Sequence, residues 1–376
     1  MLELLATVQT GTALVETMQR AWENGDAILP IDPRLPDAAV STLLAAMRPS
    51  RLVLADGLSR SCDSPQPIED GDALVVATSG STGTPKGVVH THASLRASAI
   101  STSTALGVEP ATDRWLCCLP LSHIAGLAVV IRALTLDMPI DIHDRFDATA
   151  VMAAARNGAT LTSLVPTALA RVDASLFRRI IVGGSAAPAS LPVNCRMSYG
   201  MTETGSAVVF DGTALPGVEL RIVDSEIQIR GDMVLRAYRD GTSPLTADGW
   251  LHTNDAGAID ERGLLHVNGR RGDLIITGGE NVWPTPVESA LELLDSIAEV
   301  AIVGRPDPEW GQVVTAVIVA ADPVSPPDLE SLRDAVKAVL PAYCAPRRLE
   351  IVTALPRTAL GKVQRATLTR TVTESD

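Results

Sequence analysis

Between residues 74 and 184 the chain alternates short apolar and β-branched runs with longer stretches of helical period. Residues 74–76, 115–119, 140–143, 161–165 and 180–182 read as strands, and 93–106, 124–136 and 148–157 read as helices. Strands separated by helices predict a mostly parallel sheet whose faces are covered by helices. From 207 to 267 the rhythm changes to closely spaced strands with turn residues between them, among them 219–223, 226–230 and 264–267, which predicts a small antiparallel β subdomain. After Arg271 a third pattern begins, with helix 286–294 opened by Pro286, strands 298–303 and 313–319, and helix 328–340. That is the pattern of a compact α+β module.

The fold class expected is α/β: a large N-terminal domain of helix-covered β-sheets with a small antiparallel β subdomain, then an α+β C-terminal domain. The boundary falls in Gly269-Arg270-Arg271-Gly272-Asp273, where glycines absorb a large backbone rotation, giving domains 1–270 and 271–376. The apolar stretches 2–14, 38–47 and 51–55 are expected to form a reduced front subdomain over 1–72.

Composition narrows the partners. A chain of 376 residues exceeds a single hydrophobic core, and 46% hydrophobic with 20% charged residues is ordinary for a globular protein. The net charge of −13 argues against nucleic acid or an anionic membrane, since both reward clustered Lys and Arg. The longest apolar run, 124–136, carries Arg132 and falls short of the roughly twenty residues that span a bilayer, so a buried helix is expected and no membrane insertion. The chain opens Met1-Leu2-Glu3 without a basic leader, and its five cysteines form no C-x-x-C pair; both features lead to the expectation of a cytoplasmic protein.

The chemistry concentrates first in residues 78–87, Thr-Ser-Gly-Ser-Thr-Gly-Thr-Pro-Lys-Gly, directly after an apolar run. Glycines Gly80, Gly83 and Gly87 let the backbone approach an anion closely. The hydroxyls of Thr78, Ser79, Ser81, Thr82 and Thr84 donate hydrogen bonds, and Lys86 adds a point charge. The pattern holds polyphosphate, yet it is not a Walker A loop, because Pro85 precedes Lys86 and Gly87 follows it. A Ser/Gly linker is the competing reading, but linkers rarely sit between a strand pattern and a well-patterned globular stretch.

This loop resembles the signature loop of the acyl-adenylate-forming superfamily of acyl- and aryl-CoA ligases, luciferases and adenylation domains. Further motifs repeat the resemblance in order: Leu119-Pro120-Leu121-Ser122-His123, Ser198-Tyr199-Gly200-Met201-Thr202-Glu203-Thr204, residues 250–255, Gly269-Arg270, and Pro356-Arg357-Thr358-Ala359-Leu360-Gly361-Lys362. The resemblance implies ATP, Mg2+ and the co-substrate CoA, with a small carboxylic acid as the remaining partner; it leaves room for a homodimer. It implies that Lys362 bridges the substrate carboxylate and the α-phosphate, that Thr202 bonds that phosphate, and that Glu203 holds magnesium. Tyr199 would stack on adenine with Gly200 beside it, Gly183, Gly184 and Ser185 would line adenine and the acyl group, and Asp255 with Arg270 would bind ribose.

His123 would contact the acyl group, with an ordinary structural histidine as the equal alternative. Gly278 and Gly279 would line a pantetheine tunnel, a reading compatible with a simple β-turn. The chain departs from the family pattern at Asn254 and Gly272, although asparagine is the non-glycine residue most tolerant of positive φ. His90 and His92 show no metal-like spacing and receive no role.

The activity implied is ATP-dependent carboxylate–CoA ligation through an acyl-adenylate. Within the superfamily the short front end and residues 276–282 with Trp283-Pro284 look most like the o-succinylbenzoate–CoA ligases of menaquinone biosynthesis. Another aryl- or acyl-CoA ligase, a carrier-loading adenylation enzyme and a nucleotide sensor that binds without turnover remain as alternatives. A dianionic acid needs a second basic or hydroxyl contact, and no sequence feature places one.

Overall fold

The apolar run after Gly71 forms the strand Asp72–Thr78, buried along its first five residues, and it does not join the parallel sheet that the alternation predicts. It pairs antiparallel with Lys86–Thr91 and parallel with Ala27–Pro30. The reason is the short return: Lys86 sits directly opposite Thr78, so the chain folds back on itself and the polyphosphate-loop residues connect two hydrogen-bonded strands. The computed structural model describes residues 2–78, 85–184, 190–357 and 363–370. Among these the first sheet runs in the order Ala237–Tyr238, Lys86–Thr91, Asp72–Thr78, Ala27–Pro30, Leu4–Thr7, Arg51–Val53, Ser59–Ser61. Of the front apolar stretches, 2–14 and 51–55 thus supply strands to the sheet that carries the loop, and 38–47 forms the helix Asp37–Met47.

The expected parallel sheet is the second one, ordered Thr213–Ala214, Ser206–Phe210, Cys195–Met201, Arg179–Val182, Leu161–Leu164, Trp115–Cys117, Ile140–Ile142. Its last five strands are parallel, and Ser206–Phe210 turns back antiparallel on Cys195–Met201. Helix His92–Leu106 starts at a reciprocal Thr91/Ser94 capping box and stops at Gly107, whose φ of 66° belongs to the left-handed region. Helix Ile124–Thr135 is buried without interruption from Gly126 to Ala133, the mark of a helix that lies inside a core. Its Leu127, Val130 and Ile131 pack with Trp115, Leu161 and Ile181.

Two compact units result. The first holds Met1–Gly184, Leu191–Arg221 and Gln228–His252; the second holds Ile222–Ile227 and the chain from Thr253 onward. The expected antiparallel β element appears as a four-stranded sheet, Glu219–Val223, Glu226–Arg230, Leu251–Ile259, Leu265–Arg270. Asp224 and Ser225, both at positive φ, make the two-residue link between its first two strands.

In the second unit, Glu280–Val282, Ile275–Thr277, Gly311–Ala320 and Ile297–Asp307 form a sheet to which Arg348–Ile351 adds in parallel. The helix expected at 286–294 is Pro284–Leu291, with Pro284 at its first turn, where a missing N–H does no harm. Val287, Leu291, Ile302, Val314, Ile318, Leu332 and Val336 make the core. Among the described residues no helix is long and apolar enough to cross a membrane.

One buried carboxylate ties this unit together. Glu288 accepts the Ile302 N–H at 2.8 Å and both oxygens take Arg365 Nη2, at 2.7 and 2.5 Å. Removing one partner of such a pair strands the other charge, so Glu288→Ala should destabilise by about 3 kcal/mol. Urea unfolding of the purified variant measures this; a change within about 0.5 kcal/mol, the range of ordinary surface substitutions, would show the pair to be dispensable.

Candidate active site

The hairpin strands carry the first cation. Thr78 and Lys86 face each other at the mouth of the loop, with Thr78 Oγ1 donating to the Lys86 carbonyl at 3.4 Å. Ser79, Gly80, Ser81, Thr82, Gly83 and Thr84 lie outside the described residues. Lys86 Nζ sits 4.9 Å from the centroid of the Tyr238 ring. Gly87 has no room for a side chain, since a Cβ there would lie 2.4 Å from Met47 Sδ and 2.9 Å from Arg239 Cβ.

Thr202, Glu203 and Thr204 form a single 3-10 turn between Cys195–Met201 and Ser206–Phe210. The chain enters it through a bulge between Tyr199 and Gly200, where a Cβ on Gly200 would come within 2.1 Å of the Ser206 carbonyl; only glycine fits. Three groups then hold the turn. His90 Nε2 bonds the Thr202 carbonyl at 2.7 Å, the Leu235 N–H donates to the Glu203 carbonyl at 2.7 Å, and the Tyr238 hydroxyl donates to Glu203 Oε1 at 3.0 Å. Lys86, Thr202 and Glu203 are therefore gathered around two side chains, His90 and Tyr238.

Gly183 ends the strand Arg179–Val182 against Ser198, whose Oγ donates to the Val182 carbonyl and would lie 2.4 Å from any Cβ at 183. Gly184 follows at φ +91°, and Ser185 lies outside the described residues. His123 is the N-cap of helix Ile124–Thr135 and is half-buried. Arg34, through its hydrogen bonds and its charge, holds the Asp32 carboxyl below its ordinary range against the opposing effect of burial, and His123 makes the smallest contribution in the same direction. Inside the same helix Arg132 is fully buried, its Nη2 bonding Ser206 Oγ at 2.6 Å and its guanidinium 5.6 Å from the Trp115 ring. Nε and Nη1 of Arg132 have no partner among the described residues.

The second unit holds the remaining candidates. Asp255, 7% exposed, pairs with Arg270 Nε at 3.0 Å, and Arg270 Nη1 donates to the Thr253 carbonyl at 2.9 Å. Asn254 adopts φ 57°, so the departure from glycine keeps a left-handed residue, and its N–H is held by Glu226 Oε1 at 2.9 Å. Gly278 and Gly279, at φ 58° and 86°, form the turn between Ile275–Thr277 and Glu280–Val282, and a Cβ on Gly278 would strike the Trp310 ring at 2.6 Å. Lys362 lies outside the described residues. The residues flanking it are pinned by an antiparallel bridge between Arg357 and Val363 and a bond from Gln364 N–H to the Pro356 carbonyl at 2.8 Å.

A family model described as AMP-binding enzyme matches residues 60–238, and a model described as AMP-binding enzyme C-terminal domain matches 286–362. A probable 2-succinylbenzoate–CoA ligase of Mycobacterium tuberculosis is 39% identical over 329 residues, covering 81% of this chain and 85% of that protein. The chain belongs to the AMP-binding enzyme family. The 2-succinylbenzoate–CoA ligase of Listeria monocytogenes is 32% identical over 390 residues, 91% of this chain and 83% of the relative. Among solved structures, o-succinylbenzoate CoA synthetase (MenE) from Bacillus subtilis in complex with the acyl-adenylate intermediate OSB-AMP has a TM-score of 0.85 at 29% identity, covering 97% of this chain and 88% of that one.

The residues of this AMP-binding enzyme fit a magnesium nucleotide. No cluster of three or more metal-ligating side chains exists among the described residues, so a magnesium ion held at Glu203 would draw its other ligands from phosphate and water, the habit of Mg2+. Three site residues escape sequence reasoning. His90 looks like any strand histidine, Arg132 like a lone charge interrupting an apolar helix, and Tyr238 like a loop aromatic. The only signal for Arg132 was its position in an otherwise apolar run.

The His90 imidazole is neutral. The Thr202 carbonyl can only accept, so Nε2 carries the proton and Nδ1 faces Ser94 Oγ at 3.1 Å, while burial pushes its pKa down to about 4. An unfolded chain protonates this side chain near pH 6.5 and the folded chain does not. Its contribution is thus intact above pH 6.5 and is lost as pH falls toward 4, by up to about 3 kcal/mol. Unfolding free energies measured from pH 7 to 4.5 should fall more steeply for the parent than for His90→Gln, which keeps a donor near Nε2; parallel curves would contradict the assignment.

Proposed function

We propose that this enzyme activates 2-succinylbenzoate with ATP and transfers the acyl group to CoA, releasing AMP and diphosphate. The observation that carries the reading is the coincidence of relatives of that activity over most of their length with a constellation suited to adenylation: Lys86 and Glu203 set around Tyr238. In the first half-reaction a carboxylate oxygen attacks the α-phosphorus, the acyl–phosphate bond forms and the bond to diphosphate breaks. Attack brings two anions together, so the site must supply cations and donors placed in advance. Lys362 supplies the ammonium between carboxylate and α-phosphate, Thr202 a hydroxyl to that phosphate, and the loop with Lys86 binds the leaving diphosphate. Glu203 holds magnesium. Tyr199 stacks on adenine, and Asp255 with Arg270 takes the ribose. In the second half-reaction the CoA thiol, approaching along the Gly278-Gly279 hairpin, attacks the acyl carbonyl and AMP leaves.

Arg132 supports a second carboxylate on the acid. Burial lowers its pKa to about 10, so it stays charged at neutral pH, yet its named polar partner is a serine hydroxyl. A buried cation without a carboxylate is costly, and a substrate anion removes that cost. Ser206, which it bonds, lies three residues past Glu203. The reading extends to a cytoplasmic enzyme, in keeping with five free thiols, and admits a homodimer, which sedimentation of the purified chain decides.

Incubation with ATP, magnesium, CoA and 2-succinylbenzoate should release AMP and diphosphate together with the acyl-CoA; turnover of benzoate or fatty acids with none of this acid would defeat the assignment. Lys362→Ala should lose at least about 100-fold in adenylate formation while still converting supplied acyl-adenylate to thioester. Arg132→Gln should raise the KM for 2-succinylbenzoate by about 10- to 100-fold, the worth of a charged hydrogen bond, and change that for a monocarboxylic acid far less.

A further inference from the structure

In the first unit two groups of opposite charge meet one aromatic ring. The Tyr238 hydroxyl donates to Glu203 Oε1 at 3.0 Å, and the Lys86 ammonium rests 4.9 Å from the ring centroid. A direct ion pair between that ammonium and that carboxylate would spend the bonding capacity of each on the other. Among the described residues Lys86 and Glu203 form no such pair. The ring attracts the ammonium through its π face and consumes none of its three N–H donors, while the hydroxyl engages one carboxylate oxygen. Both groups keep directions in which to meet phosphate and metal.

The tyrosine itself is held far more firmly than a two-residue strand requires. Ala237–Tyr238 pairs with Val88 and Val89, and the N–H groups of Arg236 and Arg239 donate to the carbonyls of Val89 and Gly87 at 3.0 and 2.7 Å. On one side, Arg236 grips the fully buried Asp72 carboxylate with Nε and Nη2 at 2.7 and 2.9 Å. On the other, the buried Arg239 donates to the carbonyls of Met47 and Pro67 at 3.0 and 2.9 Å, and to that of Gln66. Two arginines thus fix the backbone that aims one phenol.

We propose that Tyr238 is a positioning residue for the magnesium–diphosphate side of adenylation, aiming the Glu203 carboxylate with its hydroxyl and keeping Lys86 free of it with its ring. The proposal rests on the reading that Glu203 holds magnesium, and the test separates the two. ATP–diphosphate exchange with 2-succinylbenzoate is measured across magnesium and ATP concentrations for the parent, Tyr238→Phe, Tyr238→Leu and Glu203→Gln. Conversion of supplied acyl-adenylate to thioester by CoA, which needs neither ATP nor magnesium, is followed alongside.

Tyr238→Phe keeps the ring and should raise the magnesium concentration for half-maximal exchange by about tenfold, the loss of one hydrogen bond to a charged group, with the KM for ATP little changed. Tyr238→Leu should raise both constants, and thioester formation should stay within about twofold of the parent in both variants. Unchanged magnesium dependence in Tyr238→Phe with a clear shift in Glu203→Gln would overturn the proposal alone. No shift in either would overturn the metal reading and the proposal together. Equal loss of both half-reactions in Tyr238→Leu would show that the residue merely supports the fold, which also overturns it.

Discussion

The bond from a buried histidine to one carbonyl sets the distance on which the site depends. His90 belongs to the strand that leaves the loop of the first sheet, and Thr202 opens the turn between two strands of the second. Each backbone is locked laterally by its own sheet, so the 2.7 Å contact across 112 residues of sequence leaves the gap between Lys86 and Glu203 little freedom. The ring does this as a neutral donor because burial makes protonation unfavourable. A lysine in that place would bring a charge beside the Glu203 carboxylate; an apolar residue would leave the Thr202 carbonyl without its partner. The imidazole is rigid, neutral and two-sided, bonding Thr202 on one edge and Ser94 on the other.

Charge follows a consistent division. In a chain of net charge −13, a triphosphate is attracted only where cations are local and kept from acidic neighbours. In the first unit Lys86 rests on a ring, and Arg132 on a ring and a hydroxyl. Other arginines are matched to carboxylates in both units: Arg236 to Asp72 and Arg178 to Asp113 in the first, Arg270 to Asp255, Arg271 to Glu226 and Arg365 to Glu288 in the second. Matched arginines fix backbone, whereas cations seated on neutral groups keep their field for a ligand, where low polarity makes each worth several times its value in water.

What the sequence made legible follows from the range of the interactions involved. Helices 92–106 and 124–135 and the strands 115–117, 140–142, 161–164 and 179–182 come from local period and caps and match the pattern closely, whereas residues 206–210, expected in the antiparallel subdomain from 207 onward, pair instead with Cys195–Met201 in the second sheet. Membership of a sheet is a non-local matter. Residues 74–76 look like the first strand of an alternating series, yet their partners are Lys86–Thr91, Ala27–Pro30 and, one strand further, a pair of residues at 237–238 that no periodicity could reveal. The motif residues were visible because their chemistry is written in neighbours along the chain, as in Gly200 beside Thr202 and Glu203. His90, Arg132 and Tyr238 were not, since each acquires its meaning from a group distant in sequence: Thr202, Ser206 and Glu203.

In the second unit the residues on either side of the lysine segment are anchored by long-range contacts. Arg357 and Val363 bridge on either side of residues 358–362, so both ends of that segment are anchored to one another. Two residues on, Arg365 reaches Asp273 at 3.4 Å as well as Glu288, and Asp273 follows Gly272 directly. Asp273 and the base of the lysine segment are therefore clamped to the same guanidinium. Gly269, at φ +132°, is paired with Ala256 in its sheet, whereas a Cβ on Gly272 would meet nothing within 4 Å, so of the two only Gly272 stands in open space beside that clamp. Residues 253–270 belong to the same compact unit as the clamp, so the strand before Gly272 and the base of the lysine segment are held within one body.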